Sequence, residues 1–303
     1  MTVVDELDRR ISAGEVIILD GATSTEIQAR GVPMDAVTWS AIANLEHPDV
    51  VQGIHEDYIR AGADVIIANT YSTSPASLEP AGLGDQVEEI NRRAVEIALR
   101  ARDAAADRPV VVAGSVSSFC TLGVEGSPVL RAHAASFERQ AGILARAGVD
   151  LIALEMIDAP DYGPSAVEAA LGTGLPVWLG MSPVRSSSGA LGTFEEPTGF
   201  EDLVKAVIRP EVSAVMVMHT KPDVVPDALD LLRRHTDRPL GVYAETGDWQ
   251  VPNWVFVGLS PQEYAAAATG WVAAGAQLIG GCCGTGLEHV RALAAGLPKR
   301  VSA

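Results

Sequence analysis

Eight short apolar runs recur along this chain of 303 residues, and segments with helical periodicity separate them. Most of the runs are apolar throughout rather than alternating, which is typical of parallel strands covered on both faces. Between two of them, Val50, Ile54 and Tyr58 have the four-residue spacing of one helix face. Eight strand–helix units in a chain of this length predict an α/β fold, the (β/α)8 TIM barrel. The predicted strands are residues 16–19, 65–68, 110–113, 151–154, 177–180, 214–218, 240–243 and 277–279.

Three of the predicted strands follow a glycine that is placed to end the preceding helix, at Gly62, Gly148 and Gly275. The left-handed residue that closes a helix is usually glycine, so these positions support the alternation. The alternative fold is a doubly wound open sheet, which usually has a glycine fingerprint after an early strand, whereas residues 20–23 read DGAT. No long linker divides the chain, and we predict a single domain over residues 1–303.

The chain carries 22 basic and 39 acidic residues, a formal charge of −17. Without a basic stripe to displace counterions, it is not expected to bind nucleic acid or an anionic membrane, which leaves small molecules as partners. The longest uncharged stretch, residues 264–287, is rich in Ala and Gly and predicts a buried helix followed by a buried strand. Residues 1–10 lack the apolar segment of a signal peptide, so we expect a cytoplasmic protein. Formation of a homo-oligomer is left open.

Polar or thiol side chains follow the predicted strands, and in a barrel the carboxyl ends of the strands meet at one face. Any one of these residues has the alternative of an ordinary turn role, but the set as a whole predicts an active site. The set is Asp20, Asn69, Thr70, Tyr71, Ser115, Glu155, Ser182, His219, Glu245, Cys282 and Cys283.

The adjacent thiols of Cys282 and Cys283 are the most informative part of this set. Neighbouring side chains in a regular strand point to opposite faces, so two adjacent thiols converge only where the backbone leaves strand geometry. Gly280, Gly281 and Gly284 permit such a departure. The spacing does not suit a disulfide framework and indicates metal or redox chemistry, although small buried cysteines are the alternative.

A third ligand is needed if these thiols hold a zinc ion, because zinc prefers four tetrahedral ligands. His219 is the only histidine at a predicted strand end, and a Cys2His site with an open fourth position is a known catalytic arrangement. The alternative for His219 is a hydrogen-bonded core histidine. The residues therefore favour a Zn²⁺ site formed by His219, Cys282 and Cys283.

Four motifs resemble the homocysteine S-methyltransferase family, which includes betaine– and S-methylmethionine–homocysteine methyltransferases. They are DGATSTE at residues 20–26, ANTY at 68–71, the fourth-strand Glu155, and GGCCGT at 280–285 followed by EHV at 288–290. The last motif is the most specific. The resemblance implies a (β/α)8 barrel with a zinc ion that is held, in the family, by three cysteines.

The resemblance also implies roles for individual residues. Asp20 and Glu155 would hold the amino group of the acceptor amino acid, and backbone amides of residues 22–24 would bind its carboxylate. Asn69 and Tyr71 would line the pocket. The predicted substrate-binding residues are Asp20, Ala22, Thr23, Ser24, Asn69, Tyr71, Glu155 and Glu245, and the predicted metal ligands are His219, Cys282 and Cys283.

The sequence departs from the family motifs at both ends of the site. His219 stands where the family has its first zinc cysteine, and Met218 stands in place of the asparagine before it. Glu245 replaces an asparagine of the seventh-strand motif, and residues 117–120, SSFC, replace a GPYG-like loop. The third cysteine, Cys120, is thus not at a matching ligand position. A neutral imidazole in place of a thiolate predicts a more electrophilic zinc, which holds the acceptor thiolate more tightly and makes it less nucleophilic.

These features predict a zinc-dependent S-methyltransferase of methionine biosynthesis, which moves a methyl group from an onium donor to homocysteine. Zinc would deprotonate the acceptor thiol, and the leaving group is neutral, so we expect no catalytic residue beyond the metal site. S-Methylmethionine, betaine and similar compounds are candidate donors, and aromatic residues in the predicted loops could bind such a cation. These residues are Trp39, Tyr71, Phe119, Trp249 and Trp254.

Two alternatives remain. One is a methyltransferase or demethylase of the same fold with a different thiol or selenol acceptor, or a different donor. The other belongs to a different class: a barrel that has lost catalysis and binds only a small molecule or a metal ion.

Overall fold

A computed structural model describes residues 2–35, 38–118, 129–193, 198–250, 253–255 and 258–301; for residues 129–133 and 249 it describes the backbone only. Eight parallel strands form one sheet in the order β1-β8-β7-β6-β5-β4-β3-β2. A further parallel bridge between Leu19 and Val65 joins β1 to β2, so the sheet curves into a barrel. The strands are β1 (Ile17–Ile18), β2 (Val65–Ala68), β3 (Val111–Ser117), β4 (Leu151–Glu155), β5 (Val177–Met181), β6 (Ala214–Met218), β7 (Leu240–Tyr243) and β8 (Ala276–Ile279).

Helices surround the barrel and connect its strands, as the alternation of the sequence predicts. The predicted (β/α)8 TIM barrel is therefore confirmed. The helices are α1 (Val3–Ser12), α2 (Thr23–Ala29), α3 (Ala43–Glu46), α4 (Pro48–Ala61), α5 (Pro75–Leu78), α6 (Val87–Ala105), α7 (Val129–Ala147), α8 (Gly163–Leu171), α9 (Phe200–Val207), α10 (Val225–Leu232), α11 (Pro261–Ala273) and α12 (Leu287–Gly296), with a 3-10 turn at Gly84–Gln86.

The apolar residues of the strands divide between two layers because successive side chains point to opposite faces. Val111 and Ala113 of β3, for example, belong to a cluster that fills the inside of the barrel together with Leu7 of α1. Val110 and Val112 pack outward into a larger cluster between the strands and the helices. Because side chains fill the barrel interior, a ligand-binding cavity is expected at the carboxyl end of the strands.

The helix-ending glycines are confirmed. Gly62, Gly148 and Gly275 have φ values of 118°, 98° and 86°, in the left-handed region that glycine adopts without strain. The uncharged stretch forms a helix and a strand, α11 and β8, as predicted, and β8 is buried. The helix is not buried all round: Ala266, Thr269 and Ala273 are exposed, so only one face of α11 packs against the barrel. Among the described helices, none combines the length and the apolar character that crossing a bilayer requires. That residues 1–303 form a single domain stays a prediction.

The predicted end of the third strand is wrong. β3 continues to Ser117, so Gly114 and Ser115 lie within it rather than after it. Serine in a buried strand is tolerated here because its hydroxyl has a partner: Ser115 Oγ donates to Glu155 Oε2, and the backbone amide of Ser115 donates to Thr70 Oγ1 at 2.9 Å. Two short antiparallel hairpins are additional to the prediction, Pro183–Arg185 with Leu191–Thr193 and Asp248–Gln250 with Asn253–Val255.

Candidate functional site

A cavity of about 320 Å³ opens at the carboxyl end of the barrel. The eight predicted substrate-binding residues and the three predicted metal ligands all line it, whereas Thr70, Ser115 and Ser182 of the strand-end set do not. The convergence that parallel strands impose on their carboxyl ends is therefore realised. The residues that line the cavity include Asp20, Ala22, Thr23, Ser24, Trp39, Asn69, Tyr71, Glu155, Met156, Met218, His219, Lys221, Tyr243, Glu245, Asp248, Trp254, Cys282 and Cys283.

His219, Cys282 and Cys283 form the one group of metal-donor side chains found in the described part of the chain, with donor atoms within 4.8 Å of one another. Cys282 Sγ lies 3.6 Å from His219 Nδ1 and 3.9 Å from Cys283 Sγ. A tetrahedral zinc ion holds a sulfur and a nitrogen about 3.5 Å apart and two sulfurs about 3.8 Å apart, given its usual bond lengths. The donor set therefore suits a zinc ion in its chemistry and in the two separations from Cys282, and the third separation lies within 4.8 Å.

The backbone around the two cysteines is fixed by contacts with the loop after β7. The amide of Cys282 donates to the carbonyl of Ala244 at 3.0 Å, and the carbonyl of Cys283 accepts from Thr246 at 2.8 Å. Gly284 has a φ of 83°, and a Cβ there would lie 2.4 Å from the amide nitrogen of Gly247. Glycine is thus required for the turn that brings both thiols to one side.

The two thiols have different electrostatic environments. The hydrogen bond from Cys283, opposed by burial and reinforced by His219, lowers the pKa of Cys282 to about 5. Burial and the neighbouring Cys282 raise the pKa of Cys283. Burial is the largest single influence on the pKa of His219 and lowers it, but the hydrogen bond to Cys282 and the charges of Cys282 and Glu245 together outweigh burial, so this pKa lies above its ordinary value. The metal-free site therefore stabilises one thiolate, on Cys282.

Two buried carboxyl groups, Asp20 and Glu155, lie among the cavity-lining residues. Asp20 Oδ2 accepts from the amide of Ile67 at 2.8 Å, but burial dominates and raises its pKa well above the ordinary value. Burial raises the pKa of Glu155 to about 7, against the hydrogen bond from Ser115 and a second one from Tyr243. A cationic group that entered the cavity would favour the ionised form of both carboxyls.

Glu245 contacts the histidine rather than standing alone. Its Oε2 lies 3.4 Å from His219 Nδ1, and its Oε1 lies 3.2 Å from Lys221 Nζ. Lys221 also lies 3.1 Å from Asp248 Oδ1. Glu245, Lys221 and Asp248 therefore form an ion-pair network in the cavity that extends to the metal donor His219.

Asn69 and Tyr71 follow β2 and line the cavity, as predicted. The Asn69 amide group donates to Ser40 O at 3.1 Å and to Asn44 Oδ1 at 3.0 Å, so it also ties the earlier segment around α3 to the barrel. The Tyr71 hydroxyl donates to Met156 Sδ at 2.6 Å, and the Tyr71 ring meets the Trp39 ring edge-on at 5.9 Å.

The predicted anion-binding turn opens α2. Ala22 precedes the first helical residue, Thr23, and the side chain of Ser24 shares a 2.7 Å hydrogen bond with Ser40. The amide of Ala22 donates to the carbonyl of Thr285 at 3.2 Å, so this amide is already engaged. The amides of the first helical turn, which have no partner within a helix, stay the candidates for binding a carboxylate.

Some site residues were missed in the sequence. Lys221 lies two positions after His219, and inspection of the whole loop after β6 would have found it. Tyr243 and Met156 carry no such signal, because one lies inside a strand and the other has an apolar side chain. Among the predicted aromatic residues, Trp39, Tyr71 and Trp254 line the cavity. Phe119 and Cys120 lie outside the described residues, and so does the side chain of Trp249.

The fold and the donor group define a (β/α)8 barrel with a candidate metal site at the end where such barrels carry their active sites. The family model described as homocysteine S-methyltransferase matches residues 17–297. The chain belongs to this family and is a methyltransferase.

Individual relatives agree with this assignment. Homocysteine S-methyltransferase 4 of Zea mays is 32% identical over 311 residues, which cover 93% of this chain and 89% of the relative. A selenocysteine methyltransferase of Astragalus bisulcatus is 28% identical over 318 residues, which cover 93% and 92%. The crystal structure of the homocysteine methyltransferase MmuM from Escherichia coli, in its metallated form, superimposes with a TM-score of 0.77 at 28% identity, covering 94% of this chain and 97% of that one.

Proposed function

We propose that the protein is a zinc-dependent methyltransferase that moves a methyl group from an onium donor to the sulfur of homocysteine. One observation carries this proposal: the donor atoms of His219, Cys282 and Cys283 gather within 4.8 Å, in a cavity that Asp20 and Glu155 also line. A small amino acid with a thiol side chain suits such a cavity, since its sulfur and its amino group need different partners.

Asp20 and Glu155 bind the amino group of the acceptor in this proposal. Both carboxyls are buried, at 3% and 6% exposure, so an ammonium group that ionises them would form strong, poorly screened interactions. The amides of Thr23 and Ser24, in the first turn of α2, bind the carboxylate of the acceptor. The two ends of the amino acid would thus be held and its side chain directed to the metal donors.

His219, Cys282 and Cys283 would hold the zinc ion, because all three are zinc donors and the two separations from Cys282 match those of tetrahedral ligands. Zinc, when bound, would lower the pKa of the acceptor thiol so that it reacts as a thiolate. Three protein donors leave one position for that sulfur. The two cysteines are free rather than paired in a disulfide. Because such a site needs reduced thiols, we place the enzyme in the reducing cytoplasm. We also propose that residues 1–303 form one domain.

Trp39, Tyr71 and Trp254 line the rest of the cavity and would face the donor. Aromatic rings attract sulfonium or quaternary ammonium groups through their electron-rich faces. The acceptor sulfur forms a bond to the methyl carbon while the bond from that carbon to the onium atom breaks. The electron pair leaves with a neutral thioether or amine, so no side chain has to donate a proton.

The proposal is tested by assaying purified protein with homocysteine and either S-methylmethionine or betaine, with products identified by mass, alongside zinc stoichiometry. We expect methionine formation with at least one donor and about one zinc per chain. Cys283→Ser should lose both, whereas Cys120→Ser, at the third cysteine, should keep both. Zinc-free, well-folded native protein without transfer would contradict the proposal and favour a binding barrel without catalysis.

A second acceptor is worth including, because a relative with 28% identity is named a selenocysteine methyltransferase. The same zinc site would suit a selenol, whose conjugate base forms more readily than a thiolate. Selenocysteine should therefore be tested beside homocysteine and cysteine with each donor. Higher kcat/KM for selenocysteine than for homocysteine would move the proposed acceptor to the selenol.

A further inference from the structure

Glu245 reaches the same nitrogen of His219 that faces Cys282. Its Oε2 lies 3.4 Å from His219 Nδ1, while Cys282 Sγ lies 3.6 Å from that atom. Both side chains of the His219–Glu245 pair are only 12% exposed. Charges with so little access to water are weakly screened, so the carboxylate acts directly on whatever this nitrogen binds.

Lys221 fixes the other end of the carboxylate. Its Nζ lies 3.2 Å from Glu245 Oε1, 3.1 Å from Asp248 Oδ1 and 2.9 Å from the carbonyl oxygen of Gly247, to which it donates. The lysine side chain is 49% exposed, so water screens part of its charge. Lys221 therefore holds Glu245 in one orientation without cancelling its negative charge at His219.

The donor group by itself brings limited negative charge to a divalent ion. Two thiolates balance the two positive charges of zinc, and the neutral imidazole adds none. A nearby carboxylate supplies a third negative charge and offsets the electrophilic character that the imidazole would otherwise leave on the metal. Glu245 lies at Nδ1, on the same side of the ring as Cys282, so it acts through its charge and not as an acceptor for the opposite ring nitrogen. Loss of a carboxylate that supports a metal site typically lowers metal affinity about 10- to 100-fold.

We propose that the carboxylate of Glu245, on the Cys282 side of His219, supplies the metal site with the negative charge that the imidazole lacks, and that Lys221 holds this carboxylate in place. This inference rests on the proposed function, because it requires that His219 binds zinc. It gives Glu245 a role toward the metal rather than toward the methyl donor.

A double-mutant cycle on zinc affinity tests the proposal. Metal-free native protein, Glu245→Gln, His219→Cys and the double variant are titrated with zinc against a chromophoric chelator. We expect Glu245→Gln to weaken zinc binding about 10- to 100-fold in the native background. In the His219→Cys background it should change the affinity less than about 3-fold, because a third thiolate brings its own negative charge. Equal losses in both backgrounds would overturn the proposal.

Control variants separate charge from other effects. Asp248→Asn removes another carboxylate from the same lysine but none from His219, and it should leave zinc affinity within about 2-fold.

If His219→Cys fails to fold, Glu245→Asp replaces it as the test variant. The aspartate keeps the charge and should retain much more affinity than Glu245→Gln, and equal losses would overturn the proposal. Native protein that binds no zinc would refute the proposed function together with this inference, whereas a stoichiometric zinc site with additive losses would refute this inference alone.

Discussion

The hydroxyl of Ser115 donates a hydrogen bond to Glu155 Oε2, between neighbouring strands at the carboxyl end of the barrel. This bond favours the ionised carboxylate, yet burial is stronger and leaves the pKa of Glu155 at about 7. Glu155 therefore changes its charge within the physiological range, and a group that binds the ammonium of an amino acid must be ionised to do so.

We expect the kcat/KM for homocysteine to rise with pH through about 7. Below that pH Glu155 is protonated and neutral, and above it the carboxylate is ready to pair with the ammonium group. Glu155→Gln should abolish this part of the pH profile and raise KM for homocysteine roughly 10- to 100-fold, the worth of a hydrogen bond to a charged group. Steady-state kinetics between pH 6 and 8 measure both effects. Glu211→Gln, at an exposed glutamate, is the control, and an unchanged KM in Glu155→Gln would refute the assigned role.

Gly284→Ala is expected to damage the metal site through the backbone. The residue has a φ of 83°, and a new Cβ would lie 2.4 Å from the amide nitrogen of Gly247. We expect a loss of about 1–3 kcal/mol in the free energy of unfolding, since a left-handed alanine is strained, and a lower zinc content. Urea unfolding and metal analysis measure the two quantities.

Gly270→Ala is the matched control for this prediction. Gly270 lies within α11, and a Cβ there would meet nothing within 4 Å. Because glycine is unfavourable inside a helix, this variant should gain up to about 1 kcal/mol of stability at unchanged zinc content. Equal zinc content in both variants would mean that the Gly284 turn does not position the thiols.

The carboxyl-end residues of the site were predictable because parallel strands impose a common edge. Asp20, Asn69 and His219 each follow an apolar run, and no knowledge of helix packing is needed to bring them together. The predicted ends of β2, β6, β7 and β8 match the structure, and those of β1, β4 and β5 differ by one residue. The predicted end of β3, at residue 113, falls four residues short, since the buried Ser115 and Ser117 look like turn residues in sequence.

Side-chain partners across loops could not be predicted in the same way. The sequence predicts Glu245 as a substrate-binding residue, but its ion pairs with His219 and Lys221 depend on how the loops after β6 and β7 meet. Asn69 likewise appears as a pocket residue, while its bonds to Ser40 and Asn44 depend on a segment some 25 residues earlier. Periodicity carries no information on such contacts, because they depend on loop conformation.

Removal of the metal should inactivate the enzyme without unfolding it. The donor side chains lie at one end of the barrel, while the two main apolar clusters run through the strands and helices. We expect an unchanged circular dichroism spectrum after chelation and a lower Tm, because free zinc at 1,000 times its Kd stabilises the folded state by about 4 kcal/mol. Zinc should restore Tm and activity together. Unfolding upon chelation would instead make the site a structural one.

His55 in α4 provides a test of stability against pH that is independent of the site. It is fully buried, and neither ring nitrogen has a hydrogen-bond partner among the described residues. Burial lowers its pKa from 6.5 to about 4. The folded protein therefore keeps a neutral ring at pH values where the unfolded chain has already bound a proton.

The sign of the effect follows from this difference. Between pH 6.5 and about 4 the unfolded state binds more protons at this position, so stability falls as the pH falls through that window. At pH 5 the loss relative to pH 8 is roughly 2 kcal/mol for this group. His55→Leu should remove it, because the aliphatic side chain does not titrate, and it should also relieve the unpaired ring nitrogens.

Urea unfolding of the native protein and His55→Leu at pH 8 and pH 5 measures this contribution. We expect the variant to be at least as stable as the native protein at pH 8, and its advantage to grow by roughly 2 kcal/mol at pH 5. His47→Gln, which removes a histidine that is only partly buried, controls for the loss of an imidazole. An advantage that stays constant between the two pH values would show that the ring of His55 is not held neutral by the fold.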